Sequence, residues 1–204
     1  MEADWEVEIG GGATAPDAPV PAAPIIEALW PGFIDLRHEP ERIVEISEAA
    51  AFPPLAALLQ ALNNADSPVW TAKCDLWEPE RAEQASQAVS ASGDWQPVLA
   101  CYIDLLPREG QVFAHWQQAE ALCRKWCTRL AQHRQPEFCP QCRIDLVIRQ
   151  AIAGTVEGFG ITAYISAGKG SDRSANAALA TALVAFADAI LTAGSAAIPA
   201  SKLQ

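Results

Sequence analysis

Four stretches of apolar–polar alternation limit what this chain can fold into. Over residues 69–77, Trp70, Ala72, Cys74 and Leu76 alternate with Thr71, Lys73, Asp75 and Trp77. Over 98–106, Leu99, Cys101, Ile103 and Leu105 oppose Ala100, Tyr102 and Asp104. Residues 142–150 set Cys142, Ile144, Leu146 and Ile148 against Arg143, Asp145, Val147 and Arg149, and 158–167 set Phe159, Ile161, Ala163 and Ile165 against Thr162, Tyr164 and Ser166. Successive strand side chains point to opposite faces, so a period of two means strands with one apolar and one polar side. A parallel sheet covered on both faces needs near-continuous apolar runs. This pattern therefore predicts a mostly antiparallel sheet covered on one face.

Three helices are predicted from 3.6-residue periodicity. The first runs from Pro54, with Leu55, Leu58, Leu59 and Leu62 on one stripe and Asn63–Asn64 as its stop. The second, 111–133, aligns Val112, Trp116, Ala119, Cys123, Trp126 and Leu130. The third, about 174–193, is Ala-rich and carries Leu179, Leu183, Phe186 and Ile190. Phe33-Ile34-Asp35-Leu36 reads as a short strand, and 78–96 as a long connection. The order is β-α-β-β-α-β-β-α, whose first six elements match a ferredoxin-like core. The expected fold is α+β: a two-layer sandwich, ferredoxin-like in core order, with an extra strand and a C-terminal helix.

With 204 residues, half of them hydrophobic and 19% charged, the chain is long enough for one core. Residues 31–200 are expected to form a single domain. Residues 1–30, with Gly10–Gly12 and Pro16, Pro19, Pro21 and Pro24, read as an acidic and largely flexible arm. Within it Trp5, Val7 and Ile9 alternate with Glu6 and Glu8, the pattern of a short edge strand. No apolar run reaches the length of a membrane span, and the acidic start lacks a secretory leader pattern, so the expected setting is cytoplasmic, away from membranes.

The net charge is −11. Residues 1–48 hold eleven Asp and Glu against Arg37 and Arg42, hence −9, and the remainder is nearly neutral. This balance argues against nucleic acid as a partner, because phosphate binding needs clustered Lys and Arg. Arg124, Lys125, Arg129, Arg134, Arg143 and Arg149 nonetheless make a locally basic stretch, on which the acidic arm could lie.

Three function classes follow. The favoured one is a non-catalytic interaction or assembly module. Its polar-aromatic sheet face would dock a protein partner or a second copy through Trp77, Tyr102, Arg143, Arg149 and Tyr164, residue types that anchor interfaces. The alternative is a zinc-binding protein. Cys123, Cys127, Cys139 and Cys142 have C-x3-C-x11-C-x2-C spacing, and four thiolates suit zinc. Burial as small hydrophobes explains Cys123, Cys127 and Cys142 equally well and leaves only Cys139 without a place in the core. The third is a small-molecule enzyme using Asp75, Asp104 and Asp145, for which no catalytic site is assembled in the sequence. His38, His115 and His133 are scattered. Gly158-Phe159-Gly160 lies inside a strand rather than opening a helix, which argues against dinucleotide binding. Gly168-Lys169-Gly170-Ser171 departs from a phosphate-binding loop, because Ser or Thr does not follow the Lys directly.

Overall fold

A computed structural model of the chain describes residues 1–9, 24–79, 97–133, 142–168 and 172–192. Two short strands, β1 (Glu2–Glu8) and β2 (Ile26–Ala28), come first. A 3-10 turn (Pro40–Glu45), α1 (Ser47–Ala51) and α2 (Pro53–Asn63) follow. Then come β3 (Val69–Trp77), β4 (Pro97–Pro107), α3 (Trp116–Leu130), β5 (Cys142–Ala153), β6 (Val156–Gly168) and α4 (Asp172–Leu191). The result is an α+β fold around a mixed six-stranded sheet of order β1-β5-β6-β4-β3, with β2 also on β5. The pairs β3–β4, β4–β6 and β5–β6 are antiparallel, whereas β1 and β2 run parallel to β5.

The helices pack on the apolar sheet face. Leu55, Leu58, Leu59 and Leu62 of α2 are buried there, with Ala119, Cys123, Trp126 and Leu130 of α3 and Leu179, Leu183, Phe186 and Ile190 of α4. They meet Cys101, Ile103 and Leu105 of β4, Ile144, Leu146 and Ile148 of β5, and Ile161, Ala163 and Ile165 of β6. Each fully buried Leu or Ile contributes about 1.5–3 kcal/mol. Trp126 and Phe186 join α3 to α4 edge to face at 6.3 Å. Two hydrogen bonds between Asn63 and Thr71 pin the end of α2 to β3. Ser174–Leu191 of α4 has the length and apolarity of a membrane span, with a mean hydropathy of 1.6. The side chains it buries against the sheet account for that composition.

Three local expectations are corrected. Residues 33–36 form no strand and run between two turns: Phe33 N–H reaches Trp30 O, and His38 and Glu39 N–H both reach Asp35 O. A four-residue apolar run carries too little periodicity to tell a strand from a turn. The first strand of the ferredoxin-like order is therefore missing at that place, and the last strand, β6, sits between β4 and β5.

The second helix begins at Trp116 rather than 111. Gly110 and Gln111 both have positive φ, Phe113 bridges to Phe159, and the Gln118 side chain accepts the His115 N–H at the helix start. A register shift between Thr71 and Lys73 turns Trp70 and Ala72 onto the face opposite Cys74 and Leu76. There they join Ile26, Ala28, Leu106, Val112, Ala151 and Ala153 in a second apolar cluster, under Leu29 and Phe33. Residues 2–8, where Trp5 and Val7 carry the alternation of an edge strand, and residues 26–28 are strands of the sheet; residues 10–23 lie outside the described set.

Candidate binding face

On the sheet face away from the helices, backbone register arranges the side chains in rows. Asp4, Asp145, Tyr164, Tyr102 and Asp75 are successive partners across β1, β5, β6, β4 and β3. On one side of this row lie Glu2, Arg143, Ser166, Ala100 and Trp77; on the other lie Glu6, Val147, Thr162, Asp104 and Lys73. Glu8 and Arg149 pair one step further on.

The three rings form a strip, Trp77 to Tyr102 at 6.1 Å and Tyr102 to Tyr164 at 6.0 Å between centroids. Burial, with the nearby Asp104 and Asp75 carboxylates, pushes the Tyr102 phenol up to about 12, so it stays a neutral hydroxyl. The five residues expected to bind, Trp77, Tyr102, Arg143, Arg149 and Tyr164, therefore share this face.

Both arginines are held. Arg143 Nε donates to both Asp145 oxygens at 2.8 Å. Burial raises the Asp145 carboxyl and Arg143 offsets part of that rise. Arg149 donates from Nε to Glu8 Oε2 and from Nη1 to Tyr164 Oη, each at 2.8 Å, and its guanidinium lies 5.4 Å from the Tyr164 ring. The acidic first strand thus lies beside part of the basic stretch, with Arg124 also stacked over Trp5 at 4.7 Å.

Two clefts indent the face. One, of about 500 Å³, is lined by Ile26, Glu27 and Trp30 together with Lys73, Tyr102, Asp104, Arg149, Thr162 and Tyr164. The other, of about 480 Å³, is lined by Asp4, Trp5, Glu6, Trp77, Arg143, Asp145, Arg149 and Tyr164, among others. Arg149 and Tyr164 belong to both. The rows carry seven carboxylates (Glu2, Asp4, Glu6, Glu8, Asp75, Asp104 and Asp145) against Lys73, Arg143 and Arg149, a balance of −4.

The strand aspartates share the face without converging. Asp75 and Asp145 stand at separate places in one row with two tyrosines between them. Asp104 is the deep one, 7% exposed, and Thr162 donates its hydroxyl to Oδ1 at 2.6 Å. Burial pushes its carboxyl up to about 6, against the Thr162 hydrogen bond and the fields of Arg149 and Lys73.

The cysteines are distributed differently. Cys123 is buried on α3 and Cys127 half-buried beside it, whereas Cys142 is buried at the start of β5 with its Sγ 3.4 Å from Ala178 O. Cys139 lies outside the described residues. Among the described residues no group of three or more His, Cys, Asp or Glu is placed to hold a metal ion. Residues 169–171 are likewise outside the described set. His38 accompanies Asp35, His115 precedes α3 and His133 follows it, so the histidines do not meet.

Sequence reasoning missed the wall that Ile26 and Trp30 build over the first cleft, because nothing in their local pattern says which strand they will join. It also missed Glu8 as the partner of Arg149, a pairing set by β1 lying parallel to β5. No protein-family model, no curated protein and no solved structure matches this chain.

Proposed function

We propose that the protein is a non-catalytic docking module whose polar-aromatic sheet face receives a protein partner. In this reading the helices and the sheet are two layers, and the sheet's outer side is the working surface. The observation that carries it is the register row with Tyr164 and Tyr102 at its centre, extended by Trp77 into a strip of three rings. Rigid aromatic rings lose little side-chain entropy when they become interface anchors, and ordered arginines beside them fix orientation. The acid excess of the face favours a partner that presents basic residues.

Site-specific photo-crosslinking tests this. A benzophenone amino acid replaces Tyr102 in one protein and Val184, an exposed residue of α4, in a control. Docking through the face gives a discrete adduct from position 102 that is absent from 184 and is lost in the Trp77→Ala/Tyr164→Ala double variant. An adduct of two copies identifies a homodimer. Identical adducts from both positions, or adducts that persist in the double variant, overturn the reading.

A further inference from the structure

We infer that the cleft floored by Asp104 receives an arginine side chain of the docked partner, a proposal that rests on the docking reading and specifies its anchor. Asp104 is more than nine-tenths buried, which is costly for a carboxylate unless something repays the lost solvation. Only Oδ1 is occupied, by Thr162. Oδ2 has no hydrogen-bond partner among the described residues, yet it is not among the atoms sealed from solvent without one. It is therefore open to the cleft that the residue lines.

The surroundings select a flat cation. Tyr102, Tyr164 and Trp30 supply aromatic surface on the walls, and the exposed Ile25 supplies apolar surface for an alkyl stem. The charged groups that line the cleft with Asp104 are Lys73 from β3, Arg149 from β5 and Glu27 from β2. Glu8 already matches Arg149 through an ion pair of 2.7 Å. Among the described residues, the carboxylates Asp104 and Glu27 therefore stand against Lys73, which makes no ion pair there within 4 Å although it is the register partner of Asp104. The fold treats its own guanidinium in the same way nearby: Arg37 stacks on Trp70 at 3.7 Å while its Nε and Nη2 hold both oxygens of Asp35. A planar donor fork suits a carboxylate beside aromatic rings better than a compact ammonium does.

The probe is N-acetylargininamide, titrated into the full chain and followed by amide NMR shifts, with the neutral isostere N-acetylcitrullinamide as control. The expected result is saturable binding with shifts centred on Asp104 and Thr162, at least tenfold weaker for the citrulline compound. Asp104→Asn weakens the arginine probe at least tenfold at pH 7.5, whereas Lys73→Met tightens it by removing the competing cation. Lowering the pH from 7.5 to 5 weakens wild-type binding as the carboxylate is protonated, and leaves the Asp104→Asn protein unaffected.

Equal binding of both compounds, or an unchanged affinity in Asp104→Asn with the fold retained by circular dichroism, overturns the proposal. Weaker binding after Lys73→Met overturns the reading of Lys73 as a competing cation and with it the proposal. The two readings fail separately. Crosslinks from position 102 without probe binding remove the arginine anchor alone, and probe binding without such crosslinks removes the docking reading and with it the partner's arginine, leaving only a site for a free guanidinium compound.

Discussion

The guanidinium of Arg37 lies 3.7 Å above the indole of Trp70, a ring with no solvent exposure. Trp70 is fixed from below by its Nε1–H, which donates to Pro107 O at 2.9 Å. The Arg37 side chain closes the second apolar cluster from above while Asp35 grips its fork. Arg37→Lys keeps the charge but loses the stack and the paired hydrogen bonds, so a loss of about 1–3 kcal/mol is expected in urea unfolding. An unchanged midpoint would count against the stack as a stabilising contact.

The same turn carries an acid-sensitive group. Burial raises the Asp35 carboxyl, but hydrogen bonds from Arg37 and His38 hold it down at about 2, below the usual 3.8. A depressed carboxyl contributes stability above the unfolded value that disappears as the pH falls through the folded one. Between pH 4 and 2, wild-type stability should therefore drop more steeply than that of Asp35→Asn. Parallel curves in that window would remove the contribution.

Asp104 acts with the opposite sign. Its folded value of about 6 lies above 3.8, so the native state binds more protons than the unfolded chain between those limits. Its contribution to stability is greatest below pH 4 and diminishes as the pH rises to 6, a change on the order of 3 kcal/mol. Asp104→Asn should flatten this part of the stability–pH curve and be relatively more stable than wild type at pH 7.5. A variant curve that follows wild type from pH 4 to 7 would show that the group is not buried as described.

Two glycines of β6 allow other segments to lie directly on the sheet. A Cβ on Gly158 would come within 2.5 Å of the Phe113 carbonyl oxygen, and one on Gly160 within 2.8 Å of Ile26 Cδ1 and Leu106 Cδ2. Side-chain ends can move aside more easily than a backbone oxygen held in a bridge. Gly158→Ala should therefore cost about 1–3 kcal/mol and exceed Gly160→Ala. Thermal or urea unfolding of the two variants orders them, and the reverse order would refute the backbone argument.

Thiol reactivity provides a fifth check. Burial raises the thiols of Cys101 and Cys123 well above the usual range, Cys74 to about 12 and Cys127 to about 11. In native protein at pH 8, Cys101 and Cys123 should resist a thiol-specific reagent until unfolding, with Cys74 and Cys127 reacting slowly. Peptide mapping after timed labelling reads this directly. Rapid native labelling of Cys101 or Cys123 would contradict their burial.

Much of the candidate face was legible because alternation is a backbone property. Tyr102, Arg143, Arg149 and Tyr164 fall on one side simply by counting in twos along β4, β5 and β6. Trp70 was not legible, since a bulge adds one residue to the count and leaves no mark in a periodic pattern. The turn at Phe33 and the start of α3 depended on contacts with Trp70 and Phe159, residues far away in the chain. The depth of Asp104 was hidden for a similar reason. It follows from the second cluster and from β2, which joins its sheet through a strand more than a hundred residues later.

That late partnership has a consequence for biosynthesis. β1 and β2 both dock on β5, so residues 2–8 and 26–28 leave the ribosome long before residues 142–153 exist to receive them. Pairing across such a separation carries a large loop-closure cost and slows folding. Until it is complete, the outer edge of β5 offers unpaired backbone groups that another nascent chain can capture. The acidic side chains of β1 thus guard an edge that they reach only after β5 has been made.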